Sequence, residues 1–288
     1  PPPVGQSTTV PDYPEYDAEK LAPTRLDDTG AVDALPVANS GTVVVDLAHQ
    51  SRISRSVFTP LQDAVVQAGG EFQYMEGAVG AEELNATLAD ADAFVVADIG
   101  AAYDQDELTA LERFVESGGH LLVLGEPNYK EIVQTGPASS ALVTQQSHLA
   151  EVGSLVGLSF GTEYLVNLRP DNSDGIYKNV EATSTGDSRF VDDVESAVFY
   201  TATTVRSARG TTLLTGTEDT RKASSGGADA VPVAAVNEDE TAIGVGDTTF
   251  LEEPNHNVAD NEAFISRLGE FLASGDADYD PGPTTDVP

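Results

Sequence analysis

Four short apolar segments alternate with helical patterns in the first half of the chain, and this alternation limits the possible folds more than any other feature. The segments are residues 42–45, 72–75, 94–97 and 121–124, each of strand length. Helical patterns lie between them, and glycine pairs at 69–70 and 118–119 end two of these helices. Asp104 and Glu107 have the spacing of a capping box. This order predicts an α/β fold with a doubly wound, mostly parallel, flavodoxin-like sheet.

The C-terminal half is predicted to be rich in strands. A helix near residues 144–156 precedes strand patterns at 197–203, 211–215, 231–236 and 241–245, which turn residues separate. The last helical pattern follows Asp260, which we expect to cap that helix. The oxygen-rich run 171–175 predicts an Asx turn rather than a calcium loop.

Proline content suggests where the folded domain begins and ends. Residues 1–39 are proline-rich and predict an extended N-terminal arm that contributes little to stability. Residues 275–288 are acidic and proline-rich, which is typical of a tail or linker. We therefore expect a single α/β domain over residues 40–274.

The charge balance excludes several classes of partner. The chain has 48 acidic residues against 14 Lys and Arg, a formal net charge of −34. Such a surface repels nucleic acid and anionic membranes, so neither is expected as a partner. Scattered carboxylates predict adaptation to high salt, in which the acidic surface would attract cations from the solution. The alternative is that the acidic surface attracts a basic partner. No apolar run reaches the length of a membrane span.

The chain contains no cysteine, so disulfides, thiolate metal sites and a cysteine nucleophile are excluded. It begins at Pro1 rather than Met. From this we expect the removal of an N-terminal signal or lipid-anchor segment and an extracellular or cell-surface location.

Three segments carry a resemblance to a known superfamily: residues 43–49, 92–124 and 243–261. They resemble class I glutamine amidotransferase-like domains. In detail the chain is similar to an uncharacterised archaeal, halophilic branch of that superfamily. This branch is related to the extracytoplasmic auxiliary domain of gliding-motility-type ABC transporters and to an intraflagellar-transport subunit. The resemblance implies the flavodoxin-like fold and a protein partner, with components of a membrane transporter as the candidates.

The chain departs from that superfamily at the position of its chemistry. Active members place a cysteine on a sharp strand-to-helix elbow, with a histidine and an acid nearby. Here the fourth strand runs into Leu124-Gly125-Glu126-Pro127, with no cysteine and no Gly-x-Ser-x-Gly elbow. We therefore expect no amidotransferase activity, and a scaffold used for binding, sensing or assembly.

Ligands of open parallel sheets bind outside the carboxyl ends of the strands. The candidate ligand-binding residues at or near these ends are Asp46, His49, Arg52, Asp98, Glu126, Asn128, Asp247, Thr248, Asp260 and Asn261. The alternative is that such residues only satisfy backbone N–H groups at strand ends and helix caps. His49 is open to three roles: a general base, a ligand contact, or a hydrogen-bonding residue that orders its loop.

No metal site or cofactor is expected, because the four histidines do not pair at metal-ligand spacing and no dinucleotide fingerprint is present. Asn85 begins a glycosylation sequon, Asn85-Ala86-Thr87. The leading functional prediction is a non-catalytic, salt-adapted domain that binds a partner protein or a small polar ligand, accessory to a transporter. One alternative is a hydrolase-like enzyme that uses Asp46, His49, Glu126 and Asp247. A structural subunit of a surface assembly is the other.

Overall fold

A computed structural model describes residues 30–77, 80–136, 139–169, 176–186, 188–224 and 231–281. The early alternation forms the elements that the sequence predicts. Its strands are β1 (Thr42–Asp46), β2 (Glu71–Met75), β3 (Ala93–Ala97) and β4 (His120–Leu124), and its helices are α1 (Thr59–Gln67), α2 (Ala81–Ala89) and α3 (Gln105–Glu116). The predicted capping box of α3 is confirmed: Oδ1 of Asp104 accepts the Glu107 N–H at 2.9 Å, and Oε2 of Glu107 accepts the Asp104 N–H at 2.7 Å.

The second half adds eleven strands and two helices among the described residues. They are β5 (Tyr129–Gly136), β6 (Ser139–Gln145), α4 (Ala150–Leu155), β7 (Leu158–Phe160), β8 (Leu165–Val166), β9 (Val180–Ser184), β10 (Ser196–Phe199), β11 (Val205–Ser207), β12 (Thr211–Gly216), β13 (Arg221–Lys222), β14 (Pro232–Val236), β15 (Ala242–Val245) and α5 (Asn261–Ala273).

Nine of these strands form one mixed sheet in the order β10-β9-β12-β14-β15-β4-β3-β1-β2. The five strands from β15 to β2 pair in parallel, and from β15 to β10 each neighbouring pair is antiparallel. The order β2-β1-β3-β4 is consistent with the predicted flavodoxin-like core. The antiparallel strands from β14 to β10 extend this core and account for the high strand content predicted for the C-terminal half.

Helices cover both faces of the parallel half, because its strands are apolar on both sides. In β1, Val43 and Val45 face the core cluster formed with α1 and α5, while Val44 faces the cluster formed with α2, α3 and α4. All of β3 is buried. The layers leave the carboxyl ends of β1, β3, β4 and β15 at one edge of the sheet, where most of the candidate residues lie.

The helix predicted near 144–156 is shorter than expected. Only α4 (Ala150–Leu155) is helical, and residues 139–145 form strand β6, which pairs antiparallel with β5 in a separate two-stranded sheet. The prediction of a helix at residues 144 and 145 is wrong, because both residues lie in β6. The side chains of this strand face solvent, so they carry no pattern that separates helix from strand.

Short parts of the predicted arm and tail contact the domain. Ala34 is buried in the core, and the Asp33 N–H donates to Ser266 Oγ of α5 at 3.0 Å. At the other end, the ring of Tyr279 packs edge-on against Phe114, with centroids 5.9 Å apart. The boundaries at residues 40 and 274 stay predictions, and residues 1–29, 282–288 and the predicted turn at 171–175 lie outside the described residues. No described helix is both long and apolar enough to cross a bilayer.

Candidate functional site

His49 is held in a buried cluster at the carboxyl end of β1. Its Nδ1 lies 2.8 Å from Asp46 Oδ2, and its Nε2 lies 3.3 Å from Glu107 Oε1 on α3. Tyr103 stacks on the imidazole, with ring centroids 3.9 Å apart, and its hydroxyl donates to Asp46 Oδ2. The Asp46 carboxylate also accepts the Ala48 N–H at 2.8 Å, so the cluster fixes the loop that follows β1.

The protonation of this cluster follows from its two carboxylates. Burial is the largest single influence on His49 and lowers its pKa, but the hydrogen bonds and charges of Asp46 and Glu107 together outweigh it and leave the pKa raised. Burial, followed by the charge of Asp46, raises the pKa of the Tyr103 hydroxyl well above its usual value. The cluster therefore favours an imidazolium between two carboxylates and a neutral tyrosine.

Arg52 and Asp98 form a second group at the same edge. Arg52 Nη1 donates to Asp98 Oδ1 at 2.7 Å, and its Nη2 donates to the carbonyl oxygen of Gln146 at 2.6 Å. Asp98, directly after β3, has a φ of 34°, a backbone conformation in which Asp is among the more tolerant residues. The ion pair joins the loops after β1 and β3 to the segment that follows β6.

Glu126 and Asp247 form the third group, where the loops after β4 and β15 meet. Glu126 Oε1 accepts the Thr248 N–H at 2.8 Å and the Thr248 hydroxyl at 2.6 Å, and its Oε2 accepts the Thr201 hydroxyl at 2.9 Å. Asp247 accepts the Tyr200 N–H at 2.7 Å through Oδ2. Its Oδ1 accepts the N–H and the hydroxyl of Thr249, at 2.8 and 2.5 Å.

Burial raises the pKa of both acids, and their contact shifts the two pKa values in opposite directions. Burial, and then the neighbouring charge of Asp247, raises the pKa of Glu126 well above its usual value. Burial also raises the pKa of Asp247, although its hydrogen bonds oppose this. The pair thus favours one shared proton, held by Glu126, because the charge of Asp247 disfavours ionisation of Glu126 while the hydrogen bond with Glu126 favours ionised Asp247. Asp247 is fully buried, whereas Glu126 retains some exposure.

Two tyrosines complete this edge, and sequence reasoning missed both. Burial raises the pKa of the Tyr164 hydroxyl, and the charge of Glu126 adds to the rise. Burial also raises the pKa of Tyr129, although the charge of Arg52 opposes it. Lys178 places its Nζ 4.2 Å from the centre of the Tyr164 ring. We use "the rim" for the partly exposed residues Glu126, Tyr129, Tyr164 and Thr201.

The remaining candidates bond to backbone rather than to one another. Asn128 donates its N–H to Thr162 O at 2.9 Å. Asp260 occupies the N-cap position of α5 as predicted, but its side chain makes no capping bond: the carboxylate accepts the N–H groups of Glu195 and Ser196 at 2.8 and 3.0 Å. Asn261 is buried, and its amide bonds both backbone groups of Val198, at 2.8 and 3.0 Å. Asp260 and Asn261 thus join α5 to β10.

Asn85 lies within α2 and is partly buried. Its Nδ2, the atom that a glycan would occupy, donates to Ala81 O at 2.6 Å, and its Oδ1 accepts the Tyr279 hydroxyl. A glycan there would be attached to the nitrogen that makes the first of these bonds.

No group of three or more metal-ligating side chains suited to an ion occurs within the described ranges. A cavity of about 610 Å³ lies at the opposite edge of the sheet, between the ends of α3 and α4 and the turn from β14 to β15. None of the candidate residues lines it. The cavity and the candidate residues therefore lie at opposite edges of the sheet.

No protein-family model matches this chain, and no curated protein matches it. Among solved structures, the mmIFT52 N-terminal domain matches with a TM-score of 0.60 and 11% identity, over 82% of this chain and 100% of that one. A putative ThuA-like protein from Bacteroides uniformis matches with a TM-score of 0.47 and 10% identity, over 88% and 98% of the two chains. A β-galactosidase from Rahnella sp. matches with a TM-score of 0.47 and 12% identity, over 81% of this chain and 31% of that one.

These comparisons concern the fold alone. The match to the mmIFT52 N-terminal domain shows a shared α/β fold. ThuA-like proteins and glycosidases are among the other neighbours, at low identity, and such mixed descriptions assign no activity to this chain.

Proposed function

We propose that this protein is a non-catalytic domain that binds a small polar ligand at the rim. The observation that carries the proposal is the position of His49, whose ring nitrogens both contact carboxylates. A general base must have a free nitrogen within reach of the proton that it removes. The ring of His49 is instead used to hold the loop after β1 against α3.

The rim supplies what a ligand site needs. Glu126 and Thr201 present polar atoms, while Tyr129 and Tyr164 present half-buried rings and hydroxyls. Small-molecule sites combine aromatic surface with a few fixed polar groups in this way. Protonated Glu126 would present an uncharged carboxyl group, which suits an uncharged or zwitterionic polar ligand.

Glu126 and Asp247 favour the hydrolase-like enzyme as a second candidate. Two carboxyl groups that share a proton can act as an acid–base pair. In this protein, however, the oxygens of both acids accept hydrogen bonds from Thr201, Thr248 and Thr249 or from backbone N–H groups. Across the described residues, no hydrogen bond joins this pair to His49, so the four predicted catalytic residues form two separate groups.

A thermal-shift screen in concentrated salt tests the binding proposal. The probes are free amino acids, their amides and monosaccharides, each well above millimolar concentration. A ligand that binds only the folded state raises the melting temperature by mass action. We expect at least one probe to do so, and Tyr164→Ala to abolish the rise. Tyr74→Ala, on the outer strand β2, is the matched control. If no probe raises the melting temperature, or if both variants respond alike, the rim is not the site.

The cell-surface location and the transporter partner also belong to the proposal. Their support is the sequence resemblance to extracytoplasmic auxiliary domains. Protease treatment of intact cells tests the location, because a surface protein is digested while a cytoplasmic marker survives.

A further inference from the structure

The hairpin of β5 and β6 stands apart from the rest of the fold. Within the described residues, its backbone bonds between 130 and 144 run only between its own two strands. Two backbone hydrogen bonds connect the base of the hairpin to the rest of the fold. The Asn128 N–H donates to Thr162 O at 2.9 Å, and the His148 N–H donates to Ile99 O at 3.1 Å. An isolated two-stranded sheet is only marginally stable in water. Within the described part of the chain, no element buries the strands of this hairpin, which are exposed along most of their length.

One face of the hairpin is apolar at its centre. Ile132 lies directly opposite Leu142, and their side chains are 72% and 63% exposed. Because side chains alternate along a strand, the flanking residues of this face are Lys130, Gln134, Ser140 and Thr144. Tyr129, which belongs to the rim, and Glu131 lie on the other face. The Ile132–Leu142 face thus carries one positive charge and no carboxylate.

This lack of carboxylates is unusual for the molecule. The chain as a whole has a net charge of −34, yet residues 129–145 contain only Lys130 and Glu131 as charged groups. Two copies of so acidic a protein repel each other over most of their surfaces. They can approach closely where carboxylates are missing and apolar side chains are exposed. An antiparallel hairpin face of this kind is also able to pack on itself across a two-fold axis.

We propose that the Ile132–Leu142 face is the contact between two copies of this protein. A stable interface buries roughly 800 Å² per partner. The apolar part of this face is a single cross-strand pair, so the contact is small and the dimer is weak. Concentrated salt favours it, because screening removes the repulsion between the two acidic bodies while apolar burial persists. A basic protein partner would instead need carboxylates, which this face does not have.

Sedimentation velocity on the full chain tests the proposal, over about 1 to 300 μM in about 2 M salt, the range in which a small interface associates. We expect a concentration-dependent dimer. Leu142→Asp should weaken it at least tenfold, and Leu142→Ser should weaken it without adding charge. Val66→Asp is the matched control, because Val66 is 55% exposed on α1 and should leave the dimer unchanged. Circular dichroism of each variant shows whether it is folded.

The absence of cysteine allows a second, independent readout. Leu142→Cys and Val66→Cys each create a single thiol, and a short bismaleimide should cross-link the first much faster than the second. A protein that stays monomeric throughout the concentration range overturns the proposal. So does a dimer that Leu142→Asp leaves intact, or an equal rate of cross-linking for the two thiols.

Discussion

His49 lies three residues beyond Asp46 and turns back to it, so that Nδ1 sits 2.8 Å from Asp46 Oδ2 at the end of β1. The opposite ring nitrogen reaches Glu107, a residue that also closes the capping box of α3. The imidazole thereby joins the first strand to a helix that begins nearly 60 residues later. From this link we infer a structural role for His49, which the two substitutions described next test.

Replacing His49 by alanine should destabilise the fold without affecting the rim. The change leaves Asp46 and Glu107 buried without their shared partner, a loss of about 1–3 kcal/mol in the free energy of unfolding. Chemical denaturation in high salt measures it. The matched control is His148→Ala on the exposed surface, where a change below about 0.5 kcal/mol is expected. Equal effects of the two substitutions would show that the cluster contributes nothing.

The contribution of His49 to the stability of the folded protein should depend on pH. Its pKa is raised in the folded protein, so folding binds the proton more tightly. The stabilisation is therefore complete below the ordinary histidine pKa of 6.5 and is lost as the pH rises through the folded value. His49→Gln removes the titration. The difference in melting temperature between the natural protein and this variant should shrink from about pH 6 to about pH 9. A difference that is constant or grows would contradict the charged cluster.

Glu126 should also make the protein less stable as the pH rises. Its pKa is raised by burial and by Asp247, so the stability that it provides is present below the ordinary value of 4.5 and is lost as the pH rises through the folded value. Glu126→Gln cannot ionise, and near neutral pH it should gain stability relative to the natural protein as the pH increases. Glu83→Gln, at an exposed acid of α2, controls for the general loss of one negative charge. The same trend in both variants would contradict the shared proton.

Low salt should loosen or unfold the domain. With a net charge of −34, repulsion between surface carboxylates grows as screening is removed. The melting temperature should fall between about 2 M and about 0.05 M salt. Comparing chloride with sulfate separates screening from the stronger apolar burial that sulfate favours. A melting temperature that is unchanged or higher at low salt would remove the proposal of salt adaptation.

Local sequence patterns were sufficient to predict the strands and helices of the parallel core. Strands β1, β3 and β4 contain continuous apolar runs, and the Asp104–Glu107 spacing is a property of four consecutive residues, so both are visible without tertiary information. The candidate site was only partly predictable. Asp46 and His49 are neighbours in sequence, but Tyr103 and Glu107 contact them from a distant part of the chain. The sequence pattern of Glu107 indicated only its capping role and not its contact with His49.

The rim and the hairpin were missed for a related reason. Tyr129 and Tyr164 approach Glu126 only because separate loops meet at one edge, which no spacing in the sequence reveals. Strands β5 and β6 are exposed over most of their length, so they lack the alternation by which half-buried strands are recognised. Segments that bury no face leave no periodic signal, and these segments can still carry function.

The measurement that tests the non-catalytic account most directly is turnover. Hydrolysis of glutamine, of a p-nitroanilide and of a p-nitrophenyl ester is followed in high salt for the natural protein, His49→Ala and Glu126→Gln. A nucleophilic mechanism needs a hydroxyl or thiol held by a free base, and both nitrogens of His49 lie against carboxylates. We predict rates at the uncatalysed background for all three proteins. Turnover well above background that either substitution abolishes, in a variant that remains folded, would contradict the account.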